Sequence, residues 1–101
     1  MDDPVAAACT LPEPELRRRG RDWKAVIDEA LVEKASLPGG VRLTFRPEQS
    51  VVHDLVGLVH AERDCCGWAS WTLTSTAEAA VLAVTAEGEG AETVRSLFGV
   101  A

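Results

Sequence analysis

The sequence predicts an α+β fold with a small three-stranded sheet, in the element order helix-strand-helix-strand-strand-helix. Two observations carry this prediction. Apolar residues recur three and four positions apart in two long segments, and shorter segments alternate or are rich in β-branched residues. A length of 101 residues fits one compact domain. We expect residues 1–12 to form an extended N-terminal lead-in and residues 13–101 to form a single α+β domain.

The first helix is predicted over residues 13–35. Its first turn holds proline and acidic residues, which suit the positive end of a helix dipole. The apolar side chains form one stripe at helical spacing, made by Leu16, Trp23, Ile27, Ala30 and Leu31. The sequence Pro38-Gly39-Gly40 then predicts the end of this helix and a turn of the chain.

A strand and a second helix are predicted to follow. Residues 41–46 alternate with period two, which predicts a strand with three inward-facing side chains, Val41, Leu43 and Phe45. The second helix is predicted from Pro47 to about Cys66, because proline is tolerated in the first helical turn. Gly67 is well placed to end it.

The remaining elements determine the predicted topology. Residues 68–74 and 80–86 favour two strands of an antiparallel hairpin, and residues 91–98 form a short last helix. A right-handed crossover, with the third strand between the first two, gives half of a split βαβ, ferredoxin-like arrangement. All helices then cover one face of the sheet, and the open face is expected to serve a dimer or a docking partner.

The charge and hydropathy of the chain make some classes of binding partner improbable. Sixteen acidic residues against ten basic ones give a net charge of −6, which makes nucleic acid and anionic membranes poor direct partners. No run of about 18 apolar residues is present, so no transmembrane helix is predicted. The acidic N-terminus is unlike a secretory signal. We therefore expect a cytoplasmic protein whose three cysteines stay reduced.

Glu62 is out of place in the second helix. A helical projection places it on the buried stripe of that helix, which is formed by Val52, Leu55 and Val59. A carboxylate there is costly unless it is paired, hydrogen-bonded, protonated or bound to a cation. Two interpretations stay open. Glu62 forms a salt bridge to an arginine, namely Arg42, Arg46 or one in the first helix, or it is a ligand or general base beside Cys65 and Cys66.

The adjacent cysteines at the end of this helix, Cys65 and Cys66, suit metal binding better than nucleophilic catalysis. The negative end of a helix dipole disfavours a free thiolate, whereas a bound metal supplies positive charge and deprotonates the thiol. Thiolates suit Hg(II), Cu(I), Zn(II) or a trivalent arsenical. Cys9, in the lead-in, is the candidate for a third thiolate. Glu62 and Trp68 are expected to complete the site, with Trp68 as a wall that excludes water.

These residues also carry a family resemblance. An early Cys-Thr-Leu at Cys9, a long helix with a tryptophan, and Glu-x-x-Cys-Cys-x-aromatic from Glu62 to Trp68 resemble a family of small bacterial proteins. The same module occurs in that family fused behind regulators of the mercury-resistance (MerR) type. The family more often has Pro-Phe where this chain has Gly67-Trp68. The resemblance implies a module that senses or binds a thiophilic metal or another effector.

The sequence thus predicts a small cytoplasmic binding or sensing module for a soft metal ion or metalloid, rather than an enzyme. One alternative is a regulatory, dimerising or small-ligand-binding domain with structural cysteines, whose partner is a second copy or a regulator. A weaker alternative is a thiol redox or lyase-like enzyme with Glu62 as acid or base. The basic cluster at residues 17–21 is expected to be a solvated helix face, with binding of an anion or acidic partner as the competing interpretation.

Overall fold

The computed structural model describes residues 13–65 and 67–100, so the predicted lead-in lies outside the described residues. The described part is an α+β fold of three helices and four strands. The helices are α1 (Glu13–Ala30), α2 (Gln49–Cys65) and α3 (Glu89–Leu97). The strands are β1 (Leu31–Leu37), β2 (Gly40–Phe45), β3 (Ser70–Ser75) and β4 (Ala80–Thr85).

The prediction of a three-stranded sheet is wrong. The sheet has four strands, all antiparallel to their neighbours, in the order β1-β2-β4-β3. The additional strand is β1, which occupies the residues expected to form the end of the first helix. That helix stops at Ala30, and Pro38 and Gly39 turn the chain within a β1–β2 hairpin.

Two contacts explain why α1 ends where it does. The last carbonyl groups of a helix need partners from outside it. Here Arg46 supplies them, because its backbone N–H donates to the carbonyl of Ala30 at 3.0 Å and its Nη2 donates to the carbonyl of Glu29 at 2.8 Å. The hairpin turn places proline before Gly39, whose φ of 90° is the conformation that a type II turn requires at its third residue.

The core lies between one face of the sheet and the helices. The predicted inward residues of β2, Val41, Leu43 and Phe45, are buried, which confirms that alternation. β4 lies between β2 and β3 and adds Leu82 and Val84 to the same layer. The opposite face of the sheet exposes polar residues of β2 and β3, namely Arg42, Ser70, Thr72 and Thr74.

Gly40 lies where the backbone of β4 leaves no room for a side chain. It begins β2 and pairs with Thr85 of β4. A methyl group built on Gly40 would lie 1.9 Å from the carbonyl oxygen of Val84 and 2.8 Å from the Cα of Thr85. Both atoms belong to the backbone, so neither can move without disturbing the ladder. None of the helices within residues 13–65 and 67–100 combines the length and the apolar character of a membrane span.

Candidate functional site

The predicted site residues that the structure describes lie in the last turn of α2 and in the connection from α2 to β3. Glu62 lies in the last turn of α2 and Cys65 is its final residue. Trp68 follows in the connection to β3. Cys9, Cys66 and the side chain of Cys65 lie outside the described residues, so the proposed grouping of the three thiols stays a prediction.

Glu62 is the buried acidic residue of the described core, with 7% of its surface exposed. One carboxylate oxygen, Oε1, accepts a hydrogen bond and forms an ion pair with Nη1 of Arg19 at 2.8 Å. The other, Oε2, accepts a hydrogen bond from the indole Nε1 of Trp23 at 2.7 Å. The carboxylate therefore joins α2 to α1 through a charged pair and a hydrogen bond, each involving a different oxygen. This is the first of the two interpretations, with the arginine supplied by the first helix.

The sequence predicts an arginine of the first helix as one possible partner of Glu62, but it does not single out Arg19. Arg19 belongs to the basic cluster that was expected to face solvent, and Arg17, Arg18 and Arg21 are indeed exposed. The side chain of Arg19, in contrast, is only 18% exposed because it turns toward Glu62. The spacing within the helix is the sequence signal that could have identified Arg19. Arg19 precedes Trp23 by four residues, which places both on one helix face.

Three aromatic rings pack beside this ion pair. Trp23 stacks on Trp71 with ring centroids 6.1 Å apart, and Phe98 meets both rings edge-on at 5.7 and 6.3 Å. These separations fall in the range in which aromatic pairs add to the stability that burial provides. Trp23 thus connects the aromatic cluster to the carboxylate of Glu62. The cluster and the ion pair form one continuous contact between α1, α2, β3 and the end of α3.

A second contact fixes the end of α2 to the sheet. Arg63, in the last turn of α2, donates from Nε and from Nη2 to the carbonyl oxygen of Trp71, with the Nε distance at 3.2 Å. A basic residue also suits the negative end of the helix dipole. The segment between Arg63 and Trp71 carries Cys65, Cys66 and Trp68, so it is tied down at both ends.

Trp68 has an unsatisfied polar atom. Its indole Nε1 is buried, and it has no hydrogen-bond partner within the part of the chain that the structure describes. The ring packs against the start of α3, since a methyl group built on Gly90 would lie 3.5 Å from its Cε3. A buried donor without a partner is unusual and requires an explanation. The role of Trp68 as a wall of the site stays a prediction.

The two tryptophan donors give a direct comparison by Trp→Phe substitution. We expect Trp23→Phe to lower the free energy of unfolding by about 2 kcal/mol more than Trp68→Phe does. The first change removes a hydrogen bond to a buried carboxylate, whereas the second removes a donor that has no acceptor. Urea unfolding followed by circular dichroism measures both. Equal losses for the two variants would contradict the assigned hydrogen bonding.

The histidines do not join this site. His53 and His60 are exposed. His53 lines a cleft of about 510 Å³ between α1 and α2, together with Asp22, Glu29 and Asp54, and Arg19 lines the same cleft. Among the side chains that the structure describes, which do not include that of Cys65, no group of three or more His, Cys, Asp and Glu is placed to hold a metal ion.

Comparison with protein-family models, with curated proteins and with solved structures gives no match for this chain.

Proposed function

We propose that this protein is a small cytoplasmic module that binds or senses a soft metal ion or metalloid through Cys9, Cys65 and Cys66. The observation that supports the proposal is that α2 ends at Cys65, two residues after Arg63, and that Glu62 and Arg63 anchor this turn to α1 and β3; Cys66 is the next residue in the sequence. The resemblance to the small bacterial family supports the same function. Cytoplasmic thiols are kept reduced, which this chemistry requires.

Electrostatics at the end of α2 favour a bound cation over a free thiolate. The negative end of the helix dipole lies at Cys65, and it disfavours an uncompensated negative charge there. A soft metal ion removes the thiol proton and supplies the compensating positive charge. Hg(II), Cu(I), Zn(II) and a trivalent arsenical are the ligands that such thiolates prefer.

The described residues suggest different roles for Glu62 and Trp68. Both oxygens of Glu62 are already engaged by α1, so we assign it to positioning the last turn of α2 rather than to direct coordination. Trp68 lies two residues after Cys66 and forms a wall of the site. Its unpartnered N–H is available to an acceptor on the bound species, for example an oxygen of an arsenical.

Titration of the full chain with Hg(II), Cu(I), Zn(II) and trivalent arsenite tests the proposal. We expect at least one of these to bind at one equivalent with a dissociation constant below about 1 µM and to protect all three thiols from alkylation. At a free concentration of 100 times that constant, binding raises the free energy of unfolding by about 2.7 kcal/mol. The thermal midpoint measures this gain without relying on thiol counting.

Cysteine variants separate a chelating site from independent thiols. Cys65→Ser, Cys66→Ser and Cys9→Ser should each weaken binding by at least about tenfold, because each removes one thiolate of a shared site. Glu62→Gln is the control for direct coordination, and it should reduce stability more than affinity. Binding no tighter than millimolar, with all three thiols fully reactive, would overturn the proposal and favour structural cysteines.

A further inference from the structure

The two edges of the sheet differ in their protection against pairing. β1 is exposed along one edge, but it carries Glu33 and Lys34 and has an irregular register near Leu31. Charged residues and bulges are the usual means by which proteins prevent edge-to-edge association. β3 forms the other edge, with the sequence SWTLTS, no charge, no proline and an uninterrupted register with β4. The β3 edge is therefore suited to pair with another strand.

Hydrogen bonds identify which backbone groups of β3 are available. Thr76 donates its backbone N–H to the carbonyl of Ala79 at 2.9 Å across the hairpin. Because hydrogen-bonded residues alternate along an antiparallel strand, the backbone N–H and C=O of Thr74 point toward β4, and those of Leu73 and Ser75 point away from it. The carbonyl of Trp71 also points outward, and Arg63 already occupies it. Within the described chain, β3 has β4 as its only strand neighbour. Leu73 and Ser75 thus present free edge positions.

One large apolar residue of α2, Val56, is exposed on the side of the helix that faces this edge. Val56 is 53% exposed and precedes Arg63 by seven residues, so both lie on the same side of the helix. Arg63 is level with Trp71. α2 and β3 run in opposite directions because only a short connection joins them. The seven residues from Arg63 back to Val56 span about 10 Å of helix, and the three residues from Trp71 to Thr74 span about 10 Å of strand. Val56 is therefore about level with Thr74.

We propose that the β3 edge and Val56 form a two-fold interface between two copies of this chain. The β3 strands pair antiparallel, with Thr74 opposite Thr74 of the partner subunit. Leu73 and Ser75 of each copy then exchange backbone hydrogen bonds, and the carbonyl of Trp71 keeps its contact with Arg63. The two four-stranded sheets become one continuous sheet, and the two Val56 side chains approach each other above it.

Charge favours a second copy as the occupant. Residues at the centre of a two-fold interface face their own counterparts, so any charge there would face a like charge. The chain carries a net charge of −6, yet β3 carries none. Opposed threonines are a favourable cross-strand pair. With this register Glu78 lies opposite Ser70 of the partner subunit, which avoids a carboxylate pair.

Measurement of the molar mass of the full chain by sedimentation equilibrium tests the interface. We expect a dimer with a dissociation constant in the micromolar range or below. Thr74→Lys and Val56→Lys should each raise that constant by at least about tenfold, because each places like charges near the two-fold axis. Thr44→Lys in β2 and Val32→Lys in β1 introduce the same side chain away from the proposed interface, so they should leave the dissociation constant unchanged. Circular dichroism establishes that all four variants fold.

A cross-link checks the register. Thr74→Cys should form a disulfide between two copies at that position, identified by mass spectrometry, because directly opposed residues in a non-hydrogen-bonded pair lie about 4.5 Å apart. Thr72→Cys should not, since it faces Thr76 of the partner subunit. A monomer at every concentration overturns the proposal, as does a dimer that Thr74→Lys and Val56→Lys leave intact. A monomer that binds an extended peptide at β3 would assign the edge to another partner. These outcomes do not depend on metal binding.

Discussion

We expect Glu62→Ala to lower the free energy of unfolding by about 3–5 kcal/mol. The substitution leaves the largely buried guanidinium of Arg19 without its carboxylate and the buried N–H of Trp23 without its acceptor. Domains of this size have about 5–15 kcal/mol of stability in total, so the loss is a large share of it. Urea unfolding at neutral pH, followed by circular dichroism, measures the change. Glu62→Gln should lose less, because its amide oxygen still accepts one hydrogen bond.

Asp28→Ala is the matched control for this prediction. Its ion pair with Lys24 is shorter, at 2.6 Å, but Asp28 is 61% exposed whereas the side chain of Glu62 is 9% exposed. An exposed pair of this kind is worth no more than about 0.5 kcal/mol. The comparison separates burial from distance as the source of stability. Similar losses in the two variants would show that the Arg19–Glu62 pair is solvated in solution.

We expect Gly40→Ala to lower the free energy of unfolding by about 3 kcal/mol or more, the upper end of the range for overpacking. The new methyl group would lie 1.9 Å from the carbonyl oxygen of Val84, so β2 and β4 would have to separate where they pair. These two strands carry much of the core, including Leu43 and Leu82. Thermal unfolding and amide hydrogen exchange in β4 measure the effect.

Gly57→Ala is the control for the same chemical change. Gly57 lies within α2, and a methyl group built on it meets nothing within 4 Å. Alanine is about 0.5–1 kcal/mol more favourable than glycine in a helix interior, so this variant should gain stability. The two Gly→Ala substitutions are thus expected to have opposite signs. A stable Gly40→Ala variant would mean that the close approach at β2 is relaxed in solution.

The sequence predicts those elements of the fold whose signals are local. Alternation in β2 and the apolar stripe of α2 identify Val41, Leu43, Phe45 and Leu55 as buried, as they are. β1 could not be recognised in this way. Leu31 continues the apolar spacing of the first helix, whereas the strand is determined by pairing with β2 and by the contacts of Arg46 with the end of α1. Such partners are distant in sequence and leave no periodic signal.

In the candidate site, too, the sequence predicts what depends on local signals and does not predict what depends on helix packing. The apolar surroundings of Glu62 in the helical projection predict that it needs a partner, and an arginine of the first helix was among the alternatives. The choice of Arg19, and the hydrogen bond from Trp23, depend on how α1 packs against α2. Glu62 is 43 positions from Arg19 and 39 positions from Trp23 in the sequence, and the packing of the two helices brings them into contact. Spacing within α1 places Arg19 and Trp23 on one face but does not determine what that face contacts.

The hydrogen bonds from Arg63 to the carbonyl of Trp71 also close the intervening segment into a loop with fixed ends. A closed loop has fewer accessible conformations than a chain held at one end only. If Cys65 and Cys66 bind a ligand as proposed, part of the conformational entropy that binding would remove from this segment is already lost on folding. The contact of Arg63 with β3 would then raise the affinity, because more of the interaction energy is retained.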